Sequence, residues 1–165
     1  MKQSILLTLI ELKSFNTENV HDMSYMFSYT TSLLEIDLSS FNTSNVIDMS
    51  YMFYCDRQLT SINLSSFKNE KLENMDNMFF FCRDLTELDM SSFDTSKVTS
   101  MINAFSNLNS LTSLDLSNFN TENVLYMSGM FKSNSKMKSL NIKNFNTKNV
   151  RDFSHMLYNC MNLQN

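Results

Sequence analysis

Residues 111–131 read LTSLDLSNFNTENVLYMSGMF, and the same pattern returns every 26 residues along the chain. The phenylalanine at its centre, Phe119, has counterparts at Phe15, Phe41, Phe67, Phe93 and Phe145, with no insertion or deletion between them. Six copies account for nearly all of the 165 residues. A period that never slips gives every copy an equivalent place in a stack, and one copy alone cannot bury its apolar face. The expected organisation is a single repeat solenoid over residues 1–165, with units starting near 7, 33, 59, 85, 111 and 137.

Eight positions of the unit are apolar in all six copies. In unit 5 they are Leu111, Leu114, Leu116, Phe119, Val124, Met127, Met130 and Phe131. The L-x-x-L-x-L segment ends in apolar–polar alternation, as in Leu88-Asp89-Met90, which predicts a short strand with one buried face. The V-x-x-M-x-x-M-F segment has apolar spacings of three, three and one, which suit a helical turn. Ser24, Ser50, Ser128 and Ser154 stand where a hydroxyl would cap that turn. A second reading makes Val-x-x-Met another short strand and leaves only Ser-x-Met-Phe helical, because valine and threonine favour extended backbone. Both readings stay open. The expected fold class is thus an α/β repeat solenoid of six 26-residue rungs. Short parallel strands line one face, and short helical turns or a second short strand line the other.

The chain has one glycine (Gly129), no proline and no tryptophan, so asparagine, aspartate and serine must make its turns. Its first ten residues, MKQSILLTLI, carry one lysine before an apolar run. Leu7, Ile10 and Leu12 nevertheless fall in the strand register of the later units, and a small-residue cleavage site is missing. This stretch reads as the first unit. No apolar run is long enough to span a bilayer as a helix. The array is expected to be a fragment of a longer protein. Cys82 and Cys160 share a register position, and Cys55 is displaced by one. A Cys55–Cys82 disulfide would require Cα atoms within about 7 Å, and unpaired thiols are the favoured reading.

Chemistry is hard to find. His21 and His155 do not share a register position. Glycine-rich phosphate loops, HExxH and zinc-spaced Cys/His clusters do not occur. No enzyme activity, cofactor or metal is expected. The polar residue between the last two strand leucines reads Glu11, Asp37, Asn63, Asp89, Asp115 and Asn141. Alternation points this column outward, where stacked carboxylates repel one another and attract a basic partner. From Asp37 to Asn141, and with Thr86, Glu87 and Thr112 beside it, the column forms the expected contact strip for a protein ligand. The tyrosines Tyr25, Tyr29, Tyr51, Tyr54, Tyr126 and Tyr158 cluster near the turn segment, where an exposed contact patch and partial burial are equally open readings. The methionine stripe is expected to be core. Residues 131–165 hold six basic residues against Asp152 alone, in a chain of net charge −4. That asymmetry suits head-to-tail self-association or docking to an acidic surface, and nucleic acid is not an expected partner.

The units LTELDMSSFDTSKVTSM (85–101) and 111–131 resemble the repeats of BspA-like leucine-rich-repeat surface proteins, a group related to a domain of unknown function of mycoplasma surface lipoproteins. The family's Cys-x-x-Leu ending is matched at Cys82–Leu85 and Cys160–Leu163. The resemblance implies a non-enzymatic module, on a bacterial-type cell surface or secreted, that binds host or matrix proteins or other cells. The alternative is a structural spacer or stalk that stacks end to end.

Overall fold

The computed structural model describes residues 12–164. Leu7, Ile10 and Glu11 of the first unit lie outside the described residues. Regular structure is sparse. Strand β1 (Glu35–Asp37) pairs in parallel with β2 (Ser61–Asn63), and β3 (Ser113–Asp115) with β4 (Ser139–Asn141). Both pairings join residues 26 apart, such as Ile36 with Ile62 and Leu114 with Leu140. Later in each unit a single-residue parallel bridge repeats the offset, from Asp22–Asp48 through Asn74–Ser100 to Tyr126–Asp152.

The α/β repeat solenoid with helical turns is overturned. Among the described residues there is no helix, and the only strands are the four three-residue strands of two small parallel sheets. The second-strand alternative shrinks to one bridged residue per unit. The reason lies in where the amides point. Tyr51, Phe53 and Cys55 donate sideways to the carbonyls of Asp76, Met78 and Phe80 in the next unit, at 2.8, 2.9 and 2.8 Å. The residues between them bond locally, Met52 to Met49 and Tyr54 to Tyr51, closing four-residue turns. This alternation uses a left-handed residue at every fourth position: Tyr51 (φ 58°) and Cys55 (φ 63°) here, Gly129 and Ser133 (both φ 61°) in unit 5. An α-helix needs every φ negative and every amide aimed back along its own chain. The V-x-x-M-x-x-M-F spacing is therefore satisfied by a run of turns.

Three of the four serines expected as caps are donors; Ser128 has Tyr126, not an aspartate, two residues earlier. Ser24, Ser50 and Ser154 give their backbone N–H to the carboxylates of Asp22, Asp48 and Asp152, two residues earlier, at 2.8, 2.7 and 2.8 Å. Aspartate and asparagine hold turns this way because their short side chains mimic a peptide carbonyl.

The apolar columns of the inner units are buried and lie over one another. Phe27, Phe53, Phe79, Phe105 and Phe131 form a stack with ring centroids 5.4–6.0 Å apart, and Phe67 lies 5.7 Å from Phe93. Met49, Met52, Met75, Met78, Met101 and Met130 are fully buried among them. Two polar columns run inside this core. Thr121 donates its hydroxyl to the carbonyl of Asn146 and accepts that residue's N–H, at 3.0 and 2.7 Å, and Thr17 and Thr95 do the same one unit on. Asn69 occupies this column with a left-handed backbone, and its buried amide has no partner.

The second column explains the cysteines, all three of which are free thiols. Cys82 donates to the Phe53 carbonyl and Cys160 to that of Phe131, both at 3.0 Å, while the Asn134 amide reaches the Phe105 carbonyl at 2.8 Å. Each side chain satisfies a carbonyl 29 residues back. Asp56 fills the same place in unit 2. Its Oδ1 accepts the Thr30 N–H at 2.7 Å, but its buried Oδ2 has no partner. Burial pushes this carboxyl up to about 7, against the lowering effect of the Thr30 hydrogen bonds.

Two tests follow from this geometry. Ser133→Gly relieves a left-handed residue and should raise unfolding free energy by about 1 kcal/mol in urea titration; in a helix it would cost about as much, so the sign decides. For Asp56 the folded chain retains, between the ordinary carboxylate value and about 7, a proton that the unfolded chain has released. Stability should thus fall as pH rises through that window and level off above it. Asp56→Asn should flatten the profile; a variant with the parental pH slope would contradict the assignment.

Candidate functional site

The sequence-derived contact strip lies on the outward face of the strand segments. Asp37, Asn63, Glu87, Thr86, Asp89, Thr112 and Asp115 are exposed, and Asn141 is half-buried. Each acidic or amide member also has a local duty. Asp37, Asp89 and Asp115 accept the backbone N–H of Ser39, Ser91 and Ser117 at 3.0, 2.9 and 2.8 Å, and Asn63 accepts that of Ser65. These bonds close the turn that leaves each strand. They also hold the carboxyls below the usual carboxylate range, through the backbone N–H of Ser39 for Asp37 and chiefly the side chains of Ser91 and Ser117 for Asp89 and Asp115.

Across units, the strip divides into pairs. Asn63 donates its amide to Asp37 at 3.1 Å, and Asn141 donates to Asp115 at 3.1 Å. These two Asn–Asp pairs sit on the two sheets, β1–β2 and β3–β4. Asp89 lies between them with no amide to accept: the next unit presents Asp115, another carboxylate. Like charges on neighbouring strands repel, and the strand ladder is open on both sides of unit 4, toward Asn63 of unit 3 as well as toward Asp115 of unit 5. Thr60 bonds to the Leu34 carbonyl at 2.8 Å and Lys138 to that of Thr112 at 2.8 Å, whereas the Thr86 bond to Thr60 stretches to 3.5 Å. Residues 87–89 pair with neither sheet. The turn face stays closed at the same level, with Met101 bonded to Tyr126 at 2.9 Å.

The opening is a shallow cleft of about 470 Å³. Glu87, Asp89 and Asp115 supply its charge, Asn63, Thr86 and Ser113 its neutral polar groups, and Ile62 and Leu88 its apolar floor. Asp89 Oδ1 is committed to the Ser91 turn, and its Oδ2 takes no hydrogen bond among the described residues. The cleft therefore joins five of the eight strip residues: Asn63, Thr86, Glu87, Asp89 and Asp115. Asp37, Thr112 and Asn141 lie outside it. Among the described residues no group of His, Cys, Asp or Glu has the arrangement of a metal centre.

The tyrosine patch is more ordered than sequence reading suggests. Tyr25 and Tyr51 stack at 4.5 Å with planes 4° apart, and Tyr54 stacks on Phe80 at 5.2 Å. Phe80 and Phe81 were not anticipated; they join the row because they occupy the same turn positions as Tyr54 and Cys55. Arg83 closes it, its guanidinium 4.5 Å from the Phe81 ring. Tyr126 and Tyr158 stand apart from this row at the other end of the array.

A family model described as Mycoplasma protein of unknown function, DUF285, matches the chain twice, over residues 3–87 and 81–165. The chain belongs to this family. The two matches meet at residues 81–87, so each covers about three of the 26-residue units on either side of the cleft. No curated protein matches the chain, and no solved structure does.

The charge conflict predicts its own repair. Asp89→Asn keeps the turn to Ser91, removes the like charge beside Asp115 and leaves the Asn141 bond to Asp115 Oδ2 untouched. The variant should have a higher Tm and slower hydrogen exchange at residues 112–115; unchanged exchange there would show that the two carboxylates do not hold the ladder open.

Proposed function

We propose that this chain is a non-enzymatic protein-binding module of a bacterial-type surface or secreted protein, engaged in adhesion or host and cell interaction, and that its partner contributes basic side chains to the cleft at Glu87, Asp89 and Asp115. The observation that supports this reading most directly is the opening of the strand ladder at that point. Three carboxylates converge on an exposed cleft of ordinary ligand-pocket size, and Asp89 and Asp115 are held ionised well below neutral pH by their turn bonds. A lysine or arginine entering the cleft relieves the repulsion between them and completes the hydrogen bonding of Asp89. Such a partner gains from association without any rearrangement of the array.

The kinship with BspA-like surface proteins belongs to this proposal. It rests on the Cys-x-x-Leu endings and the shared unit pattern, and it supplies the adhesive setting. The closed column of thiol-to-carbonyl bonds gives those endings a structural purpose. No helix of the described residues is long and apolar enough to cross a membrane.

The test replaces charge while sparing the turns. In the triple variant Glu87→Gln, Asp89→Asn and Asp115→Asn, affinity for a lysine-rich peptide should fall about tenfold or more, and the parental affinity should weaken steeply with salt. Affinity that ignores both the substitutions and ionic strength would remove the cleft as the docking site.

A further inference from the structure

A second cleft of about 470 Å³ lies at the ends of units 3, 4 and 5, where each turn segment leads into the next strand segment. All three units have neighbours on both sides. Two register columns build it. Arg83, Asn109 and Ser135 stand 26 residues apart in one, and Asp84, Ser110 and Lys136 in the other. Asn107 completes the lining. This cleft shares no residue with the acidic cleft of the strand face, and its chemistry differs in kind. The strand-face cleft has Ile62 and Leu88 as an apolar floor, whereas no side chain lining the second cleft is apolar.

The neutral lining is ordered and partly sheltered. Asn107, Asn109, Ser110 and Ser135 are half-buried. The Asn107 amide donates to Ser106 Oγ at 2.8 Å, and that of Asn109 is shared between the Ser133 carbonyl at 3.4 Å and Ser135 Oγ at 3.2 Å. Both amides are thereby fixed through their nitrogens, and their Oδ1 atoms accept no hydrogen bond among the described residues. Two oriented acceptors beside two serine hydroxyls suit a ligand that carries many hydroxyl groups. A protein partner anchors itself by sinking apolar or aromatic side chains into apolar pockets, and this cleft provides none.

Charge narrows the class further. Arg83 and Lys136 face the single carboxylate of Asp84, so the lining carries an excess positive charge. The Arg83 guanidinium rests on the Phe81 ring, 4.5 Å from its centroid. Phe81 occupies the register of Asn107 one unit earlier, and its N–H donates to the Ser106 carbonyl at 3.1 Å, which sets the ring beside the cleft. Contact with a ring face holds a guanidinium in place without consuming its N–H donors. Those donors form a planar fork that matches a carboxylate.

From these observations we infer that the second cleft binds an acidic saccharide, a sugar bearing a carboxylate. Arg83 takes the carboxylate, Lys136 adds to the attraction, and Asn107, Asn109 and Asp84 accept hydrogen bonds from the hydroxyls. This does not depend on the strand-face cleft, which selects the opposite charge.

The experiment follows amide resonances of the labelled chain by NMR during titration with galacturonate, glucuronate-containing and sialylated oligosaccharides. Concentrations reach about 10 mM, enough to saturate a site with a Kd near 1 mM. At least one of these sugars should shift residues 83–84, 107–110 and 135–136, and its carboxyl-reduced form should bind about tenfold more weakly or worse. Arg83→Gln should cause a similar loss, which Arg83→Lys should not fully recover. Asn107→Gly keeps the left-handed backbone of that residue (φ 61°) and removes its amide, so it should weaken binding without unfolding the unit. The unbound spectrum of each variant checks its fold. Four outcomes would each overturn the proposal: no shift at these residues with any of the sugars, shifts confined to other parts of the chain, equal affinity for the carboxyl-reduced form, or tighter binding of an acidic peptide at the same residues.

Discussion

The array depends on a division of labour among its backbone amides. In the turn segment of every inner unit, alternate N–H groups leave the chain sideways to bond the next unit, and those between them close local turns. Neither set would hold alone. Local turns fix too few contacts to order a segment of this length, and lateral bonds need a backbone already bent so that its amides point the same way. The left-handed residue at every fourth position provides that bend. Its cost is accepted even at Tyr25, Tyr51, Cys55 and Phe81, where a side chain makes the conformation unfavourable. At Gly129 the added crowding is steric, since a Cβ there would collide with Asn103 Oδ1.

Burial of polar groups is handled by the same repetition. A threonine hydroxyl bridges the N–H and C=O of one residue in the next unit, and a thiol or amide caps a carbonyl in the unit before. Where the column changes chemistry, a defect appears. Asn69 in place of threonine leaves its amide unsatisfied, and Asp56 in place of cysteine or asparagine leaves one carboxyl oxygen without a donor. Both defects occur early in the array, in units 2 and 3. The exposed counterpart is the Asp89–Asp115 juxtaposition, which borders the open stretch of the ladder. A repeat whose columns are otherwise uniform localises its cleft by breaking one of them.

Much of this was legible in the sequence. The 26-residue register, the eight apolar columns and the outward position of the acidic column all follow from period and alternation. The asparagines that interrupt the acidic column stand where the Asn63–Asp37 bond forms, whereas the break at residues 87–89 was not expected from a column read as one continuous strip. The turn segment was misread because successive four-residue turns and an α-helix give similar apolar spacings. Only the left-handed φ at positions such as Tyr51 and Ser133 separates them, and tyrosine and serine carry no compositional signal for it. The serines were misplaced for a related reason: a turn held by the aspartate two residues earlier looks, in sequence, like a serine cap. The donor role of Cys82 and Cys160 toward distant carbonyls had no local signature at all.

Scalar couplings transmitted through hydrogen bonds, recorded by NMR on isotopically labelled protein, test the central claim most directly. The account predicts couplings from the amide nitrogens of Tyr51, Phe53 and Cys55 to the carbonyl carbons of Asp76, Met78 and Phe80, in the neighbouring unit. Couplings from Phe53 to Met49 and from Cys55 to Tyr51, four residues back along the same segment, would establish a helix there and contradict it.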